Sequence, residues 1–109
     1  KKDIIIRGGE NLSAKEIEDV LHDNPLIKEA AVVSMPHERL GEGVCAYIIQ
    51  VPGSALDIGQ ILEFAGKAGL AKQKLPQHIE LVDDLPRTAS GKVKKDILRK
   101  RIKAQMSAS

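Results

Sequence analysis

Cysteine and aromatic residues are nearly missing from this sequence. Its one cysteine, Cys45, has no partner in the chain, which excludes a disulfide-stapled scaffold and fits a reducing, cytoplasmic setting. Tryptophan is absent, and Tyr47 and Phe64 are the only other aromatics. A core must therefore be built from Ile, Leu, Val and Ala, and there is little on which nucleic-acid bases could stack. No apolar run approaches the roughly 20 residues that cross a bilayer, and Ile4-Ile5-Ile6 is too short for the apolar stretch of a signal peptide. The phosphate-binding patterns GxGxxG and GxxxxGKS/T and the nucleophile pattern GxSxG are missing too. His22, His37 and His78 fall without metal-ligand spacing, so no metal site is expected.

What is present bounds the answer further. At 109 residues there is room for one domain. The chain is 42% hydrophobic and 29% charged, a composition that folds around a modest core and is neither disordered nor collagenous. The first residue is Lys rather than Met and an apolar run begins almost at once, so a segment of a longer protein is expected. The net charge of +2 hides an asymmetry. Residues 1–70 carry 7 basic and 11 acidic groups, and residues 71–109 carry 10 and 4. A basic C-terminal stretch attracts phosphate-bearing partners, or is simply a solvated face.

Periodicity places the elements. Ile4 to Ile6 reads as a strand, and Gly8-Gly9 as a tight turn. Ser13 with Glu16 has capping-box spacing ahead of a helix with Ala14, Ile17 and Leu21 on one face, ended by Asn24-Pro25. Ala30 to Val33 reads as a second strand closed by Met35-Pro36. A Gly-rich loop leads to a third, Val44 to Val51. Asp57 caps a second helix with Ile58, Ile61, Leu62 and Ala65 on its apolar face. Ile79 to Leu81 alternates as a strand. A last helix begins near Val93, with an apolar stripe of Val93, Ile97, Leu98, Ile102 and Met106. This order predicts an α+β fold, a small and mostly antiparallel sheet packed with helices.

The segment Leu85-Pro86-Arg87-Thr88-Ala89-Ser90-Gly91-Lys92-Val93 carries the most chemical information. Pro86 and Gly91 bracket a polar turn that presents Lys92 just ahead of a helix. An ammonium there, a point charge with three donors, suits negative charge building on a phosphate or carboxylate. The plainer alternative is a solvated lysine in a first helical turn.

Together with Lys2-Asp3-Ile4-Ile5-Ile6-Arg7-Gly8-Gly9-Glu10-Asn11 and Glu16-Ile17-Glu18, that segment resembles the C-terminal domain of adenylate-forming enzymes. These include acyl-CoA synthetases, firefly luciferase and the adenylation domains of peptide synthetases. The Gly8-Gly9-Glu10-Asn11 form is most similar to fatty and aromatic acyl-CoA ligases, particularly the medium-chain fatty acid group. The resemblance spans essentially the whole chain. It implies a mobile lid, residues 1–109, on a large N-terminal adenylation domain that holds the ATP phosphate loop, the magnesium ligands and the acyl pocket. ATP and coenzyme A are the implied substrates and acyl-adenylate the intermediate.

By the same resemblance Lys92 is the catalytic lysine that bridges carboxylate and nucleotide, and Lys2 and Asp3 are the hinge. Gly8, Gly9 and Glu10 form the turn beside the thiol's tunnel, and Lys74 is a candidate contact to coenzyme A phosphate. Relatives often have an aromatic in place of Leu75, and some have an Arg in place of Asn11, so the nucleotide contacts of coenzyme A do not transfer directly. Two other readings stay open. One is an adenylation-domain lid that delivers to a carrier protein. The other is a small basic module binding nucleic acid through its tail, with steep salt dependence.

Overall fold

The computed structural model describes residues 3–108. Strand β1 (Ile4–Arg7) turns at Gly8-Gly9 into β2 (Glu10–Ser13), which runs straight into helix α1 (Ala14–His22). Strands β3 (Ile27–His37) and β4 (Gly41–Gln50) form a long hairpin. Helix α2 (Ile58–Lys67) and a single helical turn at Lys72–Lys74 lead to β5 (His78–Leu81), and α3 (Lys95–Ser107) follows. The sheet order is β2-β1-β4-β3. β4 pairs antiparallel with all of β3, and its other edge meets β1 at Gly41 and runs parallel to β5 from Cys45 to Ile48. The fold is therefore α+β with a mostly antiparallel sheet, as expected.

The central hairpin is buried on both faces, which is why β3 and β4 read as nearly unbroken apolar runs. Even-numbered Ala30, Val32, Val44, Ala46 and Ile48 pack under α1 and α2 with Ile5, Leu12, Ile17, Leu21 and Ile61. Odd-numbered Ala31, Val33, Met35, Cys45, Tyr47 and Ile49 pack under α3 with Leu98 and Ile102. Cys45 is fully buried, and that burial pushes its thiol up to about 12. The Tyr47 hydroxyl donates to the Leu98 carbonyl at 3.4 Å.

Several local expectations change. β2 was not anticipated. It exists because Gly8 and Gly9, with φ of +58° and +84°, make a two-residue hairpin turn that pairs Arg7 with Glu10. β3 continues through Met35-Pro36 instead of stopping there. Ala30 and Val32 donate their backbone N–H groups outward to α1, so Pro36, of the same parity, lacks an N–H only on the free edge. The Gly-rich loop is a short turn, with β4 starting at Gly41 and the His37 ring accepting from Leu40 N–H at 3.1 Å. α2 has a full Asp57–Gln60 capping box, but Ile58 is exposed. At α1 the Ser13 hydroxyl accepts from Glu16 N–H, while the Glu16 carboxylate holds Lys74. α3 starts at Lys95 rather than near Val93, and its seam is Leu98 and Ile102, with Ile97 and Met106 exposed.

The first half of the outer edge of β3 is covered by α1. His22 Nε2 accepts from Ala30 N–H at 3.1 Å, and Glu18 Oε2 from Val32 N–H at 2.8 Å. One helical turn on α1 thereby matches two residues of strand, and strand donors that could pair with another chain are satisfied.

Candidate functional site

Leu85, buried in the core beneath α3, anchors the segment that follows. The chain then makes a pinched turn in which Arg87 and Val93 pair as a short antiparallel bridge. Thr88 N–H donates to the Lys92 carbonyl at 2.8 Å, Gly91 N–H to the Thr88 carbonyl at 2.9 Å, and Lys94 N–H to the Pro86 carbonyl at 2.8 Å. The Thr88 hydroxyl accepts from Lys92 N–H at 3.1 Å. Gly91 sits at φ +92°, a conformation that side chains rarely adopt, so the residue before Lys92 has to be glycine.

Arg87 fastens this turn to the sheet. Its guanidinium forks onto the Glu29 carboxylate of β3, with Nη1 at 2.9 Å from Oε2 and Nη2 bonded to Oε1. Those hydrogen bonds hold the Glu29 carboxyl below the usual carboxylate range, against the opposing effect of partial burial. Lys92, at the end of the turn, is exposed, and its ammonium has no hydrogen bond or ion pair to any described residue. A rigid turn carrying an unpaired ammonium is suited to meet an anion from outside.

Lys92 lines a cleft of about 400 Å³ with Asp3, Glu18, His22, Glu29 and Lys95. The structure thus brings Asp3 and Lys92, from opposite ends of the chain, to one place. Lys95 ties the cleft wall together, pairing with Asp3 and, at 2.7 Å, with Glu18. The other predicted hinge residue, Lys2, lies outside the described residues.

Gly8, Gly9 and Glu10 lie at the far end of β1, roughly 17 Å along the strand from Asp3. A Cβ on Gly8 would come 3.1 Å from the Leu40 side chain, and one on Gly9 would meet nothing within 4 Å. Within this chain, Gly9 is required by its backbone angle rather than by crowding. Glu10 accepts from Gln73 at 3.3 Å. Lys74, its ammonium 3.0 Å from both Glu16 carboxylate oxygens, therefore stands in the same neighbourhood with a counter-ion already in place. Sequence reasoning gave no role to Arg87, Glu18, Glu29 or Lys95, although Arg87 and Glu18 both stand within the motif segments. Arg87 had a visible signal, its place in the motif, whereas Glu29 meets it only through the fold, 58 residues away.

No described group of three or more His, Cys, Asp or Glu side chains is arranged to hold a metal ion. None of the described helices is long and apolar enough to cross a membrane.

The fold is thus a two-faced sheet with a clamped, lysine-bearing turn at its rim. Residues 16–92 match the AMP-binding enzyme C-terminal domain, a match that ends on Lys92, and the chain belongs to that family. It is 46% identical over 108 residues to the medium-chain fatty-acid–CoA ligase of Escherichia coli strain K12, covering 98% of this chain and 19% of that protein. It is 46% identical over 99 residues to the indoleacetate–CoA ligase of Aromatoleum aromaticum, covering 91% and 19%. Among solved structures, apo MatB from Rhodopseudomonas palustris superimposes with a TM-score of 0.86 at 42% identity, over 92% of this chain and 20% of MatB. The chain thus spans about a fifth of the length of these relatives.

Proposed function

We propose that this chain is the C-terminal lid of an ATP-dependent acyl-CoA ligase acting on fatty acids. In the first step a carboxylate oxygen attacks the α-phosphorus of ATP, giving acyl-adenylate and pyrophosphate. In the second, the thiol of coenzyme A attacks the acyl carbon and AMP leaves. Lys92 serves the first step, its ammonium offsetting charge where carboxylate and nucleotide meet. The Gly8-Gly9-Glu10 turn serves the second, lying beside the thiol's path once the lid has turned on a hinge at Lys2 and Asp3. Lys74 would reach a coenzyme A phosphate only by exchanging Glu16 for it. The pocket for ATP, its magnesium and the acyl chain belong to an N-terminal domain, and no step on this chain runs through the metal.

The observation that carries this reading is the unpaired Lys92 ammonium on a turn locked by Gly91, Thr88 and the Arg87–Glu29 fork. The test is Lys92→Ala in the full-length enzyme, with pyrophosphate exchange and thioester formation from supplied acyl-adenylate measured separately. Losing one preorganised stabilising charge typically costs about 3 kcal/mol, two to three decades in rate. That loss is expected in exchange and not in thioester formation. Equal loss in both would remove the role from Lys92.

A further inference from the structure

Arg7 is the unexplained residue of this fold. It closes β1 immediately before the Gly8-Gly9 turn, and its Nε is shut away from solvent with no hydrogen-bond partner, the only such side-chain atom among the described residues. Water cannot serve an N–H that solvent does not reach, and an unmet buried donor on a charged group is costly. Arginine cannot relieve that cost by losing its proton. The rest of the guanidinium also makes no hydrogen bond or ion pair to any described residue.

The surroundings make this absence specific. Arg7 stands in register opposite Glu10, the natural counter-ion across a hairpin, yet the two form no ion pair and Glu10 accepts a hydrogen bond from Gln73 at 3.3 Å instead. Lys74, next along, is neutralised by Glu16. Lys72 is also unpaired, but it is exposed and solvated where Arg7 is half-buried. Only Nε is sealed from solvent; the two terminal nitrogens reach water and, with no partner in the chain, are free to receive an oxyanion from outside it. The planar guanidinium fork matches a phosphate in two hydrogen bonds.

We propose that Arg7 is a phosphate-binding residue that recognises the 4′-phosphate of the pantetheine-bearing acyl acceptor as its thiol passes the Gly8-Gly9 turn. The inference rests on the acyl-transfer reading above. It shifts the phosphate contact from Lys74, already paired, to the unpaired cation one residue from the turn. The same phosphate occurs in coenzyme A and on a carrier protein's arm, and both sources share this chemistry.

The experiment compares pantetheine, 4′-phosphopantetheine and coenzyme A as acceptors for the full-length enzyme, wild type against Arg7→Met. Wild type should favour phosphopantetheine over pantetheine. Arg7→Met should shrink that preference by about 10- to 100-fold, the size of a lost charge-assisted pair, with pyrophosphate exchange and the pantetheine rate unchanged. A phosphopantetheinylated carrier in place of coenzyme A then distinguishes the source of the phosphate. An unchanged preference in a normally folded variant overturns the assignment to Arg7. So does a loss confined to coenzyme A, which would move the contact to a nucleotide phosphate. If wild type exchanges pyrophosphate yet makes no thioester with any acceptor, the acyl-transfer reading itself fails and this inference with it. Should Arg7→Met depress exchange and the pantetheine rate together, it has disturbed the fold. Arg7→Lys, which keeps the charge but not the fork, then decides by an intermediate preference for phosphate or none.

Discussion

At the scale of single residues, the Arg87–Glu29 fork links the Lys92 turn to the sheet and also to pH. Glu29 has its folded pKa lowered from an ordinary 4.5, chiefly by the hydrogen bonds from Arg87. A lowered folded pKa means the unfolded chain binds the proton more readily, so the stabilisation is complete above the unfolded value and is lost as pH falls through the folded one. Thermal melts of wild type from pH 7 downward should therefore show a stability loss beginning near pH 4.5, and Glu29→Gln should flatten that part of the profile while lowering stability at pH 7. A Glu29→Gln profile parallel to wild type in the acid range would show that the fork does not contribute this linkage. Cys45 offers a contrast, since a thiol raised to about 12 and fully buried is inert in the folded state.

Among the elements, α3 gives the sharpest division between pattern and packing. Five apolar residues suggest its stripe, but only Leu98 and Ile102 are buried, while Ile97 is 37% exposed and Met106 40% exposed. Leu98→Ala should cost about 2–5 kcal/mol, as expected for a cavity in a packed core, and Ile97→Ala well under half of that. Chemical denaturation of both variants checks this, and similar losses would restore the broader stripe. α3 also begins two residues later than its apolar pattern, with Val93 in the Arg87 bridge and packed against the same cluster from outside the helix. Periodicity does report what is locally encoded. The α1 face of Ala14, Ile17 and Leu21, the Ser13 and Asp57 caps and the cores of β3 and β4 were all readable. It misses what depends on a distant neighbour. β2 is short and polar and exists by pairing with β1. Pro36 is tolerated because its missing donor faces outward, and outward is defined by where α1 docks. The site divides the same way. Lys92 and the two glycines stood out by motif, whereas Glu29, Lys95 and the unpartnered Arg7 acquire meaning only when strands and helices are in place.

For the molecule as a whole, two hydrophobic clusters on opposite faces of one sheet are enough core for independent folding. The isolated chain should unfold cooperatively, with a stability of about 5–15 kcal/mol. It should bind neither ATP nor coenzyme A measurably, because on the proposed reading it adds only a few contacts to pockets formed elsewhere and its remaining charges are screened at physiological salt. Calorimetric titration at micromolar concentrations should show no saturation, and a tight one-to-one isotherm with either nucleotide would contradict the lid reading. Asp3 adds a mechanical consequence. Its carbonyl accepts from Ala14 N–H and its carboxylate is pinned by Lys95, so the first described residue already moves with the body of the domain. On the proposed hinge reading, the fulcrum then lies at or ahead of Asp3 rather than within β1. Lys92 lines the same cleft as Asp3, while Gly8 and Gly9 stand at the far end of β1. On the proposed reading, a single swing about that point would turn Lys92 on a short radius and carry the glycine turn through a wider arc.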